Sequence, residues 1–419
     1  TITNGIILKN NSINDIFNVI DELIKNKKKL KDLQKSSYKN FYLTNKYISK
    51  KIDSYRLKLS SKKLNLTSSR LLKSKLKIIH ITNFNERHNG RLFYNTGKRI
   101  NNGLVRLGHS VLEFSDRDIL SNNRRLSDLN GADFLNKKLL NVIGNYTPDL
   151  IVLGHADLID FKTLKIIKKY YPETKITQWF LDRMDSEWIN NKSRFLKKID
   201  IMDSNFCTTD PTSLKHSKKY PIYYLPNPVD KSFETLKNYE NKDLKNDVFF
   251  AMSHGVHRGV LKKGKFDKRE LFLKKLTNKL PNIKFDIYGV QNKEPIWADN
   301  FINVLSQSKI ALNLSQGKPS RYYTSDRFAQ LIGNGLLVLI DKKISYNNLF
   351  NSNEIISYSN LKDLTNKIEM YANNDKLRQK IAKNGRNKYF KYFNSTVVAE
   401  YIINKTFNIK KKYYWEDKG

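Results

Sequence analysis

The sequence predicts an α/β protein with two doubly wound parallel sheets in series, preceded by a helical extension. Three observations carry that expectation. Short apolar runs alternate with stretches of helical period, the alternation breaks once at Leu225-Pro226-Asn227-Pro228-Val229-Asp230 and then restarts, and residues 1–75 show only helical spacing.

The elements follow in order. Ile13, Ile16, Phe17, Ile20, Leu23, Ile24, Leu30 and Leu33 recur at helical intervals between lysines, which predicts helices arranged as a hairpin or coiled coil. At residue 76 the pattern changes: LKIIHITNF reads as a buried strand, followed by a helix over 91–107, a turn at Gly108-His109 and a strand over 110–114. Strands over 150–153, 175–181, 199–204 and 222–225, with a helix over 161–171, complete the first sheet. After the proline-rich break, strands are expected at 247–252, 283–288, 309–314 and 336–340. Helices from about 361 close the second unit, and the last, over 396–407, is expected to cross back onto the first.

Composition bounds the function. With 419 residues, 39% hydrophobic and 12% aromatic, the chain can hold two cores plus an extension. The single cysteine, Cys207, excludes an internal disulfide framework and a thiolate zinc cluster, and suggests a reducing cytoplasm. No apolar run approaches the roughly 18 residues of a membrane span, and the opening TITNGIILKNNSIND has no signal-peptide pattern; because the sequence starts at Thr, a targeting segment upstream stays open. The net charge of +37 fits nucleic acid, an anionic membrane face or a polyanionic substrate. A codon bias towards Lys, Asn and Ile explains it equally well, and without a nucleic-acid motif no specific nucleic-acid partner is expected.

The most informative stretch is KIALNLSQGKPSRYYTSDRFAQLIGNGLLVLIDK, residues 309–341. It reads as strand, polar loop, short helix capped by Thr324 or Ser325 and ended by Gly335, then strand. Tyr323, Thr324, Ser325 and Asp326 would then present backbone N–H groups at a helix start beyond the carboxyl end of a strand, a place suited to a diphosphate. Directly after another expected strand, Ser253-His254-Gly255-Val256-His257-Arg258-Gly259 and the lysines beyond it offer cations, of which Arg258 and Lys263 are the expected phosphate clamp.

These motifs carry a resemblance. The 309–341 segment is similar to the donor-binding motif of GT-B glycosyltransferases, particularly the spore-maturation-protein-type relatives and the family 1 group. Leu104-Val105-Arg106-Leu107-Gly108-His109-Ser110-Val111 resembles their Leu-x-x-x-Gly-His-x-Val, and Leu225-Pro226-Asn227-Pro228-Val229-Asp230 resembles their Pro-Asn-x-Val-Asp. Gln178-Trp179-Phe180-Leu181-Asp182 is similar to a Trp-Phe-x-Asp strand end. The resemblance implies two Rossmann-like domains facing a cleft, with a basic helical extension at 1–75, an acceptor domain at 76–226, a nucleotide-sugar domain at 227–390 and a C-terminal helix and tail at 391–419. It implies transfer of a sugar from a nucleotide-sugar co-substrate, with no other cofactor, to a hydroxyl of a glycan or lipid-linked acceptor. Retention of configuration, independence of metal and a part in cell-surface glycan synthesis go with it.

Tyr323, Thr324, Ser325, Asp326 and Gln330 are the expected donor-binding residues beside Arg258 and Lys263. Many retaining relatives carry two glutamates eight apart around this helix; here Tyr322 and Gln330 stand at those places. Gln330 can still bond a ribose hydroxyl, and Asp326, one turn earlier, can supply a negative group. Asn83, His88 and Gly90, in the loop after the first strand, are expected to meet the acceptor, and His155 or Asp182 to orient or deprotonate its hydroxyl. Asp116-Arg117-Asp118 is a literal Asp-x-Asp, but Arg117 between the acids suits a cation poorly, and no metal is expected. The competing function is a GT-B-like sugar-nucleotide-binding or basic adaptor protein without turnover. The lysine-rich extension is expected to touch the anionic inner face of the membrane from the cytoplasm; the oligomeric state stays open.

Overall fold

A computed structural model describes residues 5–8, 10, 12–41, 45–61, 75–124, 128, 131–214, 219–253, 267–290 and 293–416. The chain forms two compact units, Thr1–Leu66 and Thr67–Gly419. Among the described residues the first contains the helices α1 (Ile13–Lys25), α2 (Lys27–Asn40) and α3 (Asn45–Ser61). Ser12 caps α1 by accepting from the Asp15 N–H at 3.2 Å, and Asn26 ends α1 and caps α2 by accepting from the Lys29 N–H at 3.0 Å. None of the residues of α1 and α2 is buried, so their apolar positions are only partly covered.

The second unit contains two parallel sheets. The first runs in the order β2-β1-β3-β4-β5-β6, from β1 (Lys77–Thr82), β2 (Ser110–Ser115), β3 (Leu150–Gly154), β4 (Lys175–Phe180), β5 (Ser204–Cys207) and β6 (Ile222–Tyr224). Its helices are α4 (Thr96–Arg106), α5 (Asp116–Asn122), α6 (Ala132–Tyr146), α7 (Phe161–Tyr170) and α8 (Ile189–Leu196). Because β-strand side chains alternate, β1 sends Ile79 and Ile81 to one face with Leu135, Leu139, Leu164 and Ile167, and Ile78 to the other with Ile100, Leu104 and Val398. The second sheet runs β11-β10-β9-β7-β8, from β7 (Asn246–Ala251), β8 (Phe285–Tyr288), β9 (Ser308–Asn313), β10 (Leu337–Asp341) and β11 (Ile356–Tyr358). Helices α9 (Lys268–Lys279), α10 (Ala298–Leu305), α11 (Arg327–Gly333), α12 (Leu361–Ala372) and α13 (Asp375–Tyr392) belong to it.

Helix α14 (Ser395–Thr406) returns to the first sheet, as its sequence position predicts. At Gly103 of α4 a Cβ would lie 2.0 Å from the Ser395 carbonyl oxygen, so only glycine admits this approach. The seam is charged and buried. The Arg99 Nε donates to Glu234 at 3.2 Å, with both side chains 1% exposed, and Arg106 donates to Asp230, which also accepts from Ser395 at 2.7 Å. Burial opposes the charge on Asp230, but hydrogen bonds from Arg106, Ser232 and Ser395 outweigh it and lower its carboxyl to about 2.

Three expectations need correction. The helix expected over 91–107 begins at Thr96, capped by Asn95, because the preceding residues form a 3-10 turn at Glu86–His88 whose Glu86 and Arg87 N–H groups donate to Asp118. The strand expected over 199–204 is Ser204–Cys207, and Ile199–Ile201 is a 3-10 turn that buries Ile199 as a cap on the core. Helices α5, α6 and α8 and strand β11 fall where no element was expected, in stretches where polar residues blur the period.

Candidate functional site

Loops from the carboxyl ends of both sheets meet. After β4, the buried Arg183 donates to the Gln316 carbonyl in the loop after β9 at 3.0 Å. Gly317 has φ +72, and a Cβ there would meet Glu187 at 2.6 Å and Arg183 at 3.0 Å, so the two loops touch through glycine. Elsewhere along the cleft the Tyr94 hydroxyl donates to Asp299 at 2.5 Å, and the Arg91 guanidinium lies 5.3 Å from the centre of the Trp297 ring. This is where ligands bind in open parallel sheets, outside the carboxyl ends of the strands.

On the second-sheet side, α11 begins at Arg327 with Asp326 at its cap position, just past the expected caps Thr324 and Ser325. Thr324 is 1% exposed: its hydroxyl pairs with the Tyr346 hydroxyl at 3.0 Å, and its carbonyl accepts from Asn227 at 2.9 Å. It therefore anchors the linker Pro226-Asn227-Pro228 and does not cap the helix. Ser325 gives its carbonyl to the Phe328 N–H at 3.1 Å, and the Tyr323 N–H, expected to be unpaired, donates to Ser320 at 3.2 Å. Asp326 occupies the cap position without a side-chain cap bond. It lies 3.4 Å from the Gln330 amide, and that amide also reaches the Tyr94 carbonyl at 3.5 Å, so the two residues share a face as their spacing predicts. Gly335, at φ +82, follows the helix as the expected terminator. Tyr322 is buried, with its hydroxyl accepting from Asn348 at 2.8 Å, and packs in the core.

Tyr323 brings the two sides together. Burial pushes its phenol up, Asp182 and Asp326 add to the shift, and Arg183 and Arg327 oppose it. Arg327 is a site residue that sequence reasoning passed over. Its guanidinium donates to the Leu314 carbonyl at 3.3 Å and lies 5.2 Å from the Phe250 ring centre, with no carboxylate within salt-bridge distance among the described residues. Burial, with help from Arg269, lowers it to about 10. Beside it, the Asn313 amide nitrogen and the Ser315 hydroxyl are buried without hydrogen-bond partners. The signal was an arginine directly after the expected cap residues. Arg258 and Lys263 lie outside the described residues.

On the first-sheet side, the loop after β1 folds tightly through Asn85, Asn89 and Gly90, all at positive φ; the space around Gly90 is open. Asn83 accepts from Arg87 at 3.1 Å, and burial together with Arg87 and Arg91 lowers the half-buried His88. His155 sits at φ +50, stacked 4.1 Å from Phe180, and its Nε2 accepts from the Leu181 N–H at 2.7 Å. The proton is therefore on Nδ1, which points to Asp182 at 3.7 Å. Burial lowers this imidazole, so it is neutral at pH 7. Asp182, half exposed, also lies 3.7 Å from Arg194.

Asp118 is turned inward onto the 86–87 turn and pairs with Arg87 at 2.8 Å, which occupies it structurally. Asp116 is buried, neither oxygen has a hydrogen-bond partner of good geometry, and burial raises it to about 7. Among the described residues no cluster of acids, histidines or cysteine has metal-holding geometry.

Residues 268–404 match the family described as Glycosyl transferase-like. Among solved structures, the chain is similar to AviGT4, a glycosyltransferase involved in Avilamycin A biosynthesis, at 10% identity and TM-score 0.50 over 80% of this chain and 98% of that one. It is likewise similar to the sucrose-phosphate synthase of Thermosynechococcus elongatus, at 10% identity and TM-score 0.51 over 80% of this chain and all of the other. No curated protein matches it by sequence. Two parallel-sheet domains, the returning helix α14 and a glycosyl transferase-like segment over residues 268–404 make this a GT-B-fold chain that resembles the family 1 glycosyltransferases.

Proposed function

We propose that the protein transfers a sugar from a nucleotide-sugar donor to a hydroxyl acceptor, in the cleft between its two sheets. The observation that supports this most is the meeting of the loop after β9 with the loop after β4, which brings Arg327 and Asp326 from one side and Asp182 from the other around Tyr323. The donor lies against the second sheet. Its leaving diphosphate gains charge as the glycosidic bond breaks, and a fixed guanidinium with unused donors stabilises that charge without a metal. Arg327 takes this role, with Arg258 and Lys263 as the remaining cations. Gln330 and Asp326 bond the ribose or sugar hydroxyls.

The acceptor lies over Asn83, His88 and Gly90. Asp182 orients the acceptor hydroxyl, whose proton passes to the leaving diphosphate as the hydroxyl attacks from the same face of the sugar, and His155, whose Nδ1–H faces Asp182, is a positioning residue. Transfer proceeds with retention, onto a glycan or lipid-linked acceptor of the cell surface. The test is turnover across a panel of nucleotide sugars, in chelator, with the anomeric product read by NMR. Transfer is expected, and restoration of a lost activity by magnesium or manganese would overturn the metal-free mechanism. Gln330 in place of a carboxylate favours one other outcome, binding without turnover, which would make the protein a sugar-nucleotide-binding adaptor.

A further inference from the structure

Helix α1 turns its apolar side to solvent. Ile13, Phe17, Ile20 and Ile24 are 84%, 67%, 51% and 65% exposed, and their spacing of four, three and four places them on one stripe. Leu23 lies about a quarter-turn from this stripe and, with Ile6, Leu30, Leu33, Tyr38 and Phe41, lines a groove of about 780 Å³. Two of the three acids of α1 are paired within the unit, Asp21 with Lys25 at 2.6 Å and Glu22 with Lys29 at 2.5 Å, while Asp15 accepts from the Asn10 N–H at the helix start. Lys27, Lys28, Lys31, Lys35 and Lys39 of α2 have no carboxylate partner among the described residues.

An exposed apolar stripe alone would fit a protein, and a lysine surplus alone would fit nucleic acid. Side by side they match a surface that is apolar beneath and anionic above. A second copy is the weaker occupant, because a 13-residue helix is only about 20 Å long and one face of it falls well short of the roughly 1,000 Å² a stable interface buries. We propose that α1 and α2 form an in-plane anchor for an anionic lipid surface. Ile13, Phe17, Ile20 and Ile24 enter the boundary between headgroups and acyl chains, and the α2 lysines engage the headgroups. This inference is independent of the sugar-transfer proposal.

The test sediments the full chain with phosphatidylcholine vesicles, with and without phosphatidylglycerol. Binding is expected only with phosphatidylglycerol. The double substitution Phe17→Ser/Ile20→Ser should weaken it about tenfold or more, and Lys27→Gln/Lys28→Gln/Lys31→Gln should weaken it about tenfold and flatten its salt dependence. All five positions are exposed or partly exposed, and a Phe17→Trp chain gives a second readout through a blue shift of its added emission on vesicles. Failure to bind anionic vesicles, or binding indifferent to both sets of substitutions, would overturn the proposal. So would a dimer dissolved by Phe17→Ser/Ile20→Ser without any vesicle effect, or RNA binding that depends on the lysines and not on Phe17.

Discussion

Charge is buried in two regions of the second unit, and the two are treated oppositely. At the seam between α4, α14 and the linker, each buried charge meets its counterpart: Arg99 faces Glu234, and Arg106 and Ser395 converge on Asp230. At the carboxyl ends of the strands some charges are paired, Asp118 with Arg87 and Arg183 with Asp185, but other polar groups are left over. The partly buried Arg327 has no carboxylate partner among the described residues, the buried Asp116 has no good hydrogen bond, and the buried Asn313 amide nitrogen is unused. Paired burial holds the two sheets together, whereas unpaired burial costs stability and is kept where a ligand can complete it.

The largest effect should come from breaking the paired region. Glu234→Ala strands the Arg99 guanidinium in a 1% exposed position, and we expect about 3–5 kcal/mol of lost stability in urea denaturation. Replacing both partners together by apolar residues of similar size should cost much less. A double replacement as harmful as Glu234→Ala would show that packing, not charge pairing, governs the seam.

Asp116 should behave in the opposite way. Its carboxyl titrates near 7 when folded against 3.8 unfolded, so between about pH 4 and pH 7 the folded chain holds a proton that the unfolded chain has released. Its contribution to stability is therefore complete below pH 4 and declines as pH rises to 7. Asp116→Asn, neutral throughout, should be more stable than the parent at pH 8 by on the order of 1–3 kcal/mol and equal to it near pH 4. A substitution that destabilises at pH 8 would mean that the carboxylate has a partner in solution.

The rim contact should matter least to stability. Tyr94→Phe removes the bond to Asp299, whose acceptance, with burial, raises the phenol to about 12. Because the bond is exposed, we expect a loss below about 1 kcal/mol in thermal unfolding. A larger loss would make the rim part of the rigid seam.

Much of this contrast was legible in the sequence. Apolar runs such as Ile78–Ile81 and Leu337–Ile340 mark strands buried on both faces, and the single break at Pro226 and Pro228 separates the sheets. The return of α14 followed from its place at the end of the chain. The site was legible by region and less so by atom. Thr324 looked like a helix cap because its one-dimensional context suits one, yet long-range bonds from Asn227 and Tyr346 pull it inward. His155 looked like a base until the Leu181 N–H was seen to occupy its Nε2. Arg327 was overlooked because the absence of a salt-bridge partner is a property of three-dimensional surroundings, and no spacing rule reports it.

The most direct test of the account is calorimetric titration of Arg327→Ala with nucleoside diphosphates, alongside its urea denaturation. If the guanidinium is kept unpaired for a phosphate, affinity should fall about tenfold or more, while the unfolding midpoint stays at or above that of the parent. Unchanged affinity, or a loss of stability comparable to that of Glu234→Ala, would contradict it.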